Sequence, residues 1–270
     1  MLAHVRRGSG DPLLLVHGLG ATGRVWEPVL DRLAAERDVI AVDMPGFGAS
    51  PALPGGLAPT AANLAAAIAR FCEQEEIQRP HVAGNSLGGW VALELGRAGG
   101  AASVTALSPA GLWRAPLGPH RFDARRWARR LRPLIAALLR TRRGRGALLS
   151  GTVAHPDRIP AAEGRDLVLG WIDSPAYDAA NREMRAAVFE PSPYPAIPVT
   201  VGWGEGDRIV RAPRPERIPA GARLLTLPGV GHTPTWDDPA LIAEVLLAGS
   251  SGAPGTALGS ERPERRRATR

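Results

Sequence analysis

The most informative motif of this chain is Gly84-Asn85-Ser86-Leu87-Gly88, which has the form G-x-S-x-G. It follows the short apolar run His81 to Ala83 and precedes a segment with a helical pattern. A serine on a tight strand-to-helix turn has a strained backbone, and side chains at the flanking glycine positions would collide with their surroundings. Such a turn exposes the serine hydroxyl at the carboxyl edge of a sheet. The motif therefore predicts that Ser86 is a nucleophile.

On both sides of this motif, short apolar runs alternate with helix-like segments. Apolar runs without polar alternation suit strands that are buried on both faces, as in a parallel sheet. The alternation predicts right-handed crossovers and an α/β fold, with a mostly parallel central sheet flanked by helices. The predicted strands are 13–16, 39–42, 81–83, 104–107, 199–203 and 223–227, and the predicted helices are 24–36, 60–77, 87–98 and 239–248.

Residues 112–190 interrupt this alternation. They are rich in arginine, proline and aromatic residues and look helical in pieces, and they are too long for a plain loop. We therefore predict an α/β core formed by residues 1–111 and 191–248, and a helical cap, or lid, formed by residues 112–190. The tail 249–270 is rich in Gly, Ser, Pro and Arg and is predicted to be disordered.

Candidates for an acid and a base follow the last two predicted strands. Asp207 ends the segment Trp203-Gly204-Glu205-Gly206-Asp207, and His232 ends Gly229-Val230-Gly231-His232. Because parallel strands end at one edge of a sheet, both side chains should converge on Ser86. His232 would accept the serine proton, and Asp207 would orient the imidazole and balance its charge. Glu205 remains an alternative for the acid.

The loop His17-Gly18-Leu19-Gly20 follows the first apolar run and is a candidate oxyanion loop. A tetrahedral oxyanion needs two preorganised N–H donors, and the backbone amides of Leu19 and Leu87 are the natural pair. His17 would then support the loop rather than act as a base. A plain turn between strand and helix is the alternative interpretation.

Taken together, these segments closely resemble the α/β-hydrolase superfamily, in its serine-nucleophile branch with a helical cap. The matching residues are His17-Gly18-Leu19-Gly20, Asp43-Met44-Pro45-Gly46-Phe47-Gly48-Ala49-Ser50, Gly84-Asn85-Ser86-Leu87-Gly88-Gly89, Trp203-Gly204-Glu205-Gly206-Asp207 and Gly231-His232. The resemblance implies an α/β-hydrolase fold and a hydrolytic enzyme. Haloalkane dehalogenases and epoxide hydrolases of this superfamily use an aspartate nucleophile, and Ser86 argues against both.

We expect a carboxylic-ester hydrolase that forms an acyl-enzyme and needs no cofactor or metal. Two alternatives share its catalytic apparatus. One is a C–C bond hydrolase of the meta-cleavage type, which residues 84–89 resemble, although Thr233 stands where those enzymes usually have tryptophan. The other is a (thio)esterase for a carrier-bound acyl group. An alternative of another class is a non-catalytic binding protein for a small ligand. The cap residues Trp113, Trp127 and Trp171 are candidate substrate contacts.

All 33 basic residues are arginine, and the formal net charge is +7. Residues 112–190 hold fifteen arginines and eight acidic residues. Because no nucleic-acid-binding motif accompanies them, nucleic acid is an unfavoured partner, whereas an acidic carrier protein would fit an arginine-rich cap. The chain has a single cysteine, no signal-peptide pattern and no apolar run of membrane-spanning length. We therefore expect a small-molecule substrate, no membrane partner and a cytoplasmic location, and leave the oligomeric state open.

Overall fold

A computed structural model describes residues 1–119 and 124–251. In these two ranges, seven strands form one sheet in the spatial order β1-β3-β2-β4-β5-β6-β7. The strands are β1 His4–Arg7, β2 Pro12–Val16, β3 Asp38–Val42, β4 His81–Asn85, β5 Ser103–Leu107, β6 Val199–Gly204 and β7 Arg223–Leu227. Strand β1 runs antiparallel to β3, and the other neighbouring strands are parallel. The predicted α/β-hydrolase fold with a mostly parallel sheet is confirmed.

Strand β1 has no counterpart among the sequence-based predictions. It pairs only with β3 at one edge of the sheet, and its Val5 is exposed. An edge strand that is solvated on one side does not show the continuous apolar run that identifies a strand buried on both faces.

Four helices pack on the sheet: α1 Glu27–Ala34, α2 Ala61–Gln74, α3 Leu87–Arg97 and α9 Pro239–Gly249. Helices α2 and α3 bury one face of the sheet, and α1 and α9 bury the other. Strand β2 shows the division: Leu14 and Val16 belong to the first core, and Leu13 and Leu15 belong to the second. This two-sided burial follows from the alternation of side chains along a strand. It leaves the carboxyl ends of the strands as the place where polar loops meet.

Among the described residues between β5 and β6, five α-helices carry a small apolar core of their own, which includes Leu139, Leu149 and Ile172. They are α4 Ala124–Arg130, α5 Arg132–Leu138, α6 Arg142–Leu149, α7 Ala161–Asp173 and α8 Tyr177–Ala186. All five fall within the predicted cap segment, and the division into core and cap stays a prediction. From residue 252 onward the predicted disordered tail lies outside the described residues. Across the two described ranges, no helix is both long and apolar enough to span a membrane.

Candidate active site

Ser86 stands on a sharp turn between β4 and α3, with φ 56° and ψ −119°. The glycines around it are required by close backbone contacts. A Cβ atom on Gly84 would lie 2.1 Å from the carbonyl oxygen of Gly88, and one on Gly88 would lie 2.2 Å from that of Val16. The N–H of Ser86 donates to the carbonyl oxygen of Leu107 at 3.0 Å, which ties the turn to β5. The local sequence therefore holds Ser86 in a backbone conformation that residues other than glycine rarely adopt.

His232 and Asp207 form a buried pair at the ends of β7 and β6. The His232 Nδ1 lies 2.8 Å from Asp207 Oδ2, and the two side chains are 7% and 1% exposed. The Asp207 Oδ1 accepts the backbone N–H groups of Ile209 and Val210 at 2.8 and 3.0 Å. Burial alone would raise the pKa of Asp207. The hydrogen bond and the charge interaction with His232, together with the two backbone N–H donors, outweigh burial, so the pKa of this carboxyl is lowered.

An ionised Asp207 at neutral pH favours a proton on His232 Nδ1 and leaves Nε2 free to accept one. Ser86 and His232 line the same cavity, so the structure brings the serine, the histidine and its carboxylate together. The carboxylate that contacts His232 is Asp207, whereas the alternative acid, Glu205, is exposed. Their roles in catalysis stay predictions.

Asn85 connects the serine turn to the histidine loop, which the sequence analysis did not anticipate. Its side-chain Nδ2 donates to the carbonyl oxygens of Leu107 at 3.1 Å and His232 at 2.8 Å, and the residue is 4% exposed. The bond to His232 spans 147 positions of the chain. A contact of this kind leaves no local sequence pattern, so only the position of Asn85 next to Ser86 could have suggested a role.

The candidate oxyanion loop lies beside Ser86. A Cβ atom on Gly18 would be 3.2 Å from the Ser86 Cβ, so the loop approaches the serine closely. Leu87 is the first residue of α3, and its N–H therefore has no acceptor within the helix. These positions are compatible with the predicted donor pair of Leu19 and Leu87, which stays a prediction.

His17 supports this loop from inside the protein. It is fully buried; its Nδ1 lies 2.8 Å from the Gly18 carbonyl oxygen, and its Nε2 accepts the N–H of Met44 at 2.9 Å. Burial lowers the pKa of His17 to about 4. The imidazole is therefore neutral at physiological pH, and both of its ring nitrogens are engaged with the backbone.

Asp237 is a second residue that the sequence analysis did not identify. It is fully buried and accepts three backbone N–H groups, from Ala154 at 3.0 Å, His155 at 2.7 Å and Gly231 at 2.7 Å. Two of these donors lie in the cap and the third directly precedes His232, so one carboxylate joins the cap to the histidine loop. The neighbouring Asp238 caps α9 by accepting the N–H of Leu241.

A cavity of about 520 Å³ lies between the core and the cap, with Ser86 and His232 in its wall. Its lining is mainly apolar, and it includes Trp113 and Trp171. The structure does not bring Trp127 into this lining: that residue is 50% exposed on the outer side of the cap. The described residues that line the cavity include no acidic side chain; the polar ones are Asn85, Ser86, Thr152, Tyr177, Asn181, Arg185, His232 and Thr233.

Cys72, the one cysteine, lies away from this cavity in α2. Burial raises the pKa of its thiol to about 11, so the thiol stays protonated at neutral pH. In the part of the chain that the structure describes, no three His, Cys, Asp or Glu side chains form a cluster that could hold a metal ion.

The sequence model of the alpha/beta hydrolase family matches residues 13–245. This chain belongs to the alpha/beta hydrolase family. It is therefore an alpha/beta hydrolase in fold and a hydrolase (EC 3) in activity.

Several relatives of this alpha/beta hydrolase have names. It is 32% identical over 206 residues to the epoxide hydrolase EphH of Mycobacterium tuberculosis, with 70% of this chain and 94% of that protein covered. It is 40% identical over 90 residues to the pimeloyl-[acyl-carrier protein] methyl ester esterase of Aeromonas hydrophila, which covers 33% of this chain and 34% of that protein. A thermophilic esterase from Thermogutta terrifontis has the same fold, with a TM-score of 0.67, 24% identity and 91% of each chain covered.

Proposed function

We propose that this alpha/beta hydrolase cleaves a carboxylic ester of a largely apolar substrate through an acyl-enzyme on Ser86. The observation that carries the proposal is the buried hydrogen bond between His232 and Asp207, in a cavity that Ser86 also lines. An alcohol nucleophile needs a neighbouring base, and the base needs a partner that fixes its tautomer. The described residues of this cavity hold one histidine, so the base is His232.

In the first half of the proposed reaction, the Ser86 hydroxyl attacks the ester carbonyl carbon and its proton passes to His232 Nε2. The backbone N–H groups of Leu19 and Leu87 stabilise the resulting oxyanion. When the C–O bond to the alcohol breaks, His232 returns the proton to the leaving oxygen. Water then attacks the acyl carbon while His232 Nε2 takes one of its protons, and that proton passes to Ser86 Oγ when the acyl–Oγ bond breaks; the rest of the water becomes the hydroxyl of the acid. The net reaction converts one ester and one water into an acid and an alcohol.

The cavity indicates the kind of substrate. Trp113 and Trp171 and the surrounding aliphatic side chains favour an apolar acyl or aryl group, because burial of apolar surface supplies most of the binding free energy of such a pocket. Arg185 is the cation among the described lining residues, and no carboxylate opposes it there. An anionic group at the far end of the substrate is therefore compatible with the cavity. The local similarity to an esterase supports an ester as the bond that is cleaved.

The similarity to a protein named an epoxide hydrolase favours a second candidate, opening of an epoxide ring. The residue at the turn argues against it. Epoxide hydrolases of this superfamily use an aspartate nucleophile, whereas the turn of this chain carries Ser86. The two other candidates, a C–C bond hydrolase and a (thio)esterase for a carrier-bound acyl group, also use a serine nucleophile. They differ from an ester hydrolase only in the substrate that the cap admits.

Hydrolysis of p-nitrophenyl esters from C2 to C12 by the wild type and Ser86→Ala tests the proposal, with styrene oxide as the epoxide. We expect turnover of esters with an optimum at intermediate chain length, because the cavity is apolar but finite. Ser86→Ala should lower kcat by several orders of magnitude and unfold at the same temperature as the wild type. Epoxide opening that survives in Ser86→Ala, or unchanged ester turnover in that variant, would overturn the assignment.

A further inference from the structure

Two helices of the predicted cap carry a row of large apolar side chains that the described residues leave about half exposed. Helices α4 and α5 are nearly continuous, because helical hydrogen bonds pass through Leu131 between them. The N–H of Leu131 donates to the carbonyl oxygen of Trp127, and the N–H of Ile135 donates to that of Leu131, both at 2.9 Å. Four large side chains on them are about half exposed: Trp127 at 50%, Leu131 at 48%, Leu134 at 56% and Leu138 at 42%. Their spacing of i, i+4, i+7 and i+11 aligns them on one side of the helix. We call these four residues the outer stripe.

The other side of the same helices accounts for their packing in the cap. Ala128 and Ile135 line the cavity that holds Ser86, and Leu139 is 1% exposed in the small cap core. Attachment of α4 and α5 to the protein therefore does not require the outer stripe. Contiguous exposed side chains of this size mark interaction surfaces in soluble domains.

The segment that carries the outer stripe has charged side chains of one sign only. Residues 124–149 contain nine arginines and no acidic residue. Some of these arginines are neutralised within the cap, as Arg132 is by Asp173 at 2.6 Å. Others are not: Arg130 stacks on the ring of Trp127 at 5.3 Å, and Arg140 and Arg143 are exposed and form no ion pair with a described residue.

We propose that the outer stripe docks this enzyme on an anionic lipid surface. Leucine and tryptophan side chains enter the boundary between headgroups and acyl chains, and neighbouring arginines bind the lipid phosphates. A second copy of the chain fits poorly, because a two-fold contact would oppose two arginine-rich faces. An acidic protein would satisfy the arginines but leaves four aligned large apolar side chains unexplained. The sequence favoured no membrane partner because the pattern does not reveal which face of α4 and α5 the cap buries.

Co-sedimentation with phosphatidylcholine vesicles, with and without phosphatidylglycerol, tests this proposal and does not depend on catalysis. We expect the wild type to bind the anionic vesicles and to be released by high salt. Leu131→Ser with Leu134→Ser should weaken binding about tenfold or more, since two leucines no longer enter the lipid. Arg130→Gln with Arg143→Gln should weaken it about fivefold per arginine.

Matched controls change similar side chains elsewhere: Leu57→Ser with Leu224→Ser, which are 50% and 45% exposed, and Arg70→Gln with Arg79→Gln on the core surface. These variants should bind vesicles like the wild type. None of the substituted residues lines the cavity, so turnover of a short soluble ester should be unchanged in all of them.

Three results would overturn the proposal. The first is no binding of the folded wild type to anionic vesicles. The second is binding that is lost with the arginines but unchanged by the leucine substitutions, which would indicate a site for an acidic macromolecule. The third is a fall in molar mass in solution when Leu131 and Leu134 are replaced, which would assign the outer stripe to contact between two copies of the chain.

Discussion

At the scale of single residues, burial assigns different tasks to two histidines. His232 has a buried carboxylate on one ring nitrogen and lines the cavity that Ser86 also lines. Both ring nitrogens of His17 contact the backbone, at Gly18 and Met44, in a fully buried position. In the proposed mechanism, His17 supports the candidate oxyanion loop and His232 transfers the proton.

The buried His17 should make the stability of the fold depend on pH. Its pKa is lowered from 6.5 to about 4 in the folded chain, so between these values the unfolded chain binds the extra proton. The free energy of unfolding should thus fall by about 3 kcal/mol from this group as the pH drops from 6.5 to 4. Urea denaturation across this range measures the slope. His17→Gln should be less stable but have a shallower slope, and equal slopes would contradict the assignment.

Asp207 should matter for turnover much more than its exposed neighbour Glu205. Asp207→Asn keeps the size of the side chain but removes the charge that fixes the His232 tautomer, and kcat should fall by about 10³–10⁴. Glu205→Gln is the matched control and should stay within about twofold of the wild type, because Asp207 is the carboxylate on His232. Steady-state kinetics on one ester compares them. Equal losses in the two variants would reopen the choice of acid.

At the scale of elements, one carboxylate contacts both the predicted cap and the histidine loop. The Asp237 carboxylate accepts N–H groups from both segments, and the N–H of Thr233 donates to the Thr152 carbonyl oxygen at 2.8 Å. Together with the contacts that Asn85 and Asp207 make to His232, these hydrogen bonds fix the position of the loop. Asp237 is thus a positioning residue that acts through the backbone of the loop.

Replacement of Asp237 by asparagine should destabilise the protein and slow catalysis. In the wild type an oxygen of Asp237 accepts each of these backbone N–H groups. In the variant the amide NH₂ would face one of them, and a buried donor without an acceptor costs about 1–3 kcal/mol. Asp238→Asn is the control, since asparagine is as good a helix N-cap as aspartate. The free energy of unfolding, measured by urea denaturation, and kcat should both be lower for Asp237→Asn and nearly unchanged for Asp238→Asn. Equal stability of the two variants would contradict the joining role.

The sequence predicted the elements that follow simple patterns. Apolar runs identified the parallel strands, and the glycines of residues 84–88 identified the turn that carries Ser86. The edge strand β1 was missed because half of it faces solvent. Asn85 and Asp237 were missed because their partners are backbone groups far away in the chain, at His232 and Ala154. Such contacts depend on the folded arrangement and leave no periodic signal.

At the scale of the whole molecule, residues of the predicted cap and of the predicted core line one cavity. Trp171 lies between α8 and the candidate oxyanion loop. Its ring packs against Tyr177 of α8 with centroids 6.1 Å apart, and a Cβ atom on Gly20 of the loop would lie 3.0 Å from the Trp171 ring. Arg24 in the core forms an ion pair with Glu163 of α7 at 3.2 Å. The aromatic contact thus lies directly above the candidate oxyanion loop.

Trp171→Ala should enlarge the cavity and shift the preferred ester to a longer acyl chain. The kcat/KM for short esters should fall about tenfold, because they lose an aromatic contact in an apolar pocket. Trp127→Ala is the matched control, since this ring is half exposed outside the cavity lining. Chain-length profiles of the two variants provide the comparison. A shift caused by Trp127→Ala, or none caused by Trp171→Ala, would contradict the described cavity.

Covalent labelling shows whether Ser86 is the nucleophile of this hydrolase. The protein is incubated with a serine-directed phosphonate and digested, and the modified residue is located by mass spectrometry. We expect one adduct per chain, on Ser86, with much slower labelling in Asp207→Asn and none in Ser86→Ala. A folded wild type that stays unlabelled, or an adduct on another residue that persists in Ser86→Ala, would contradict the claim.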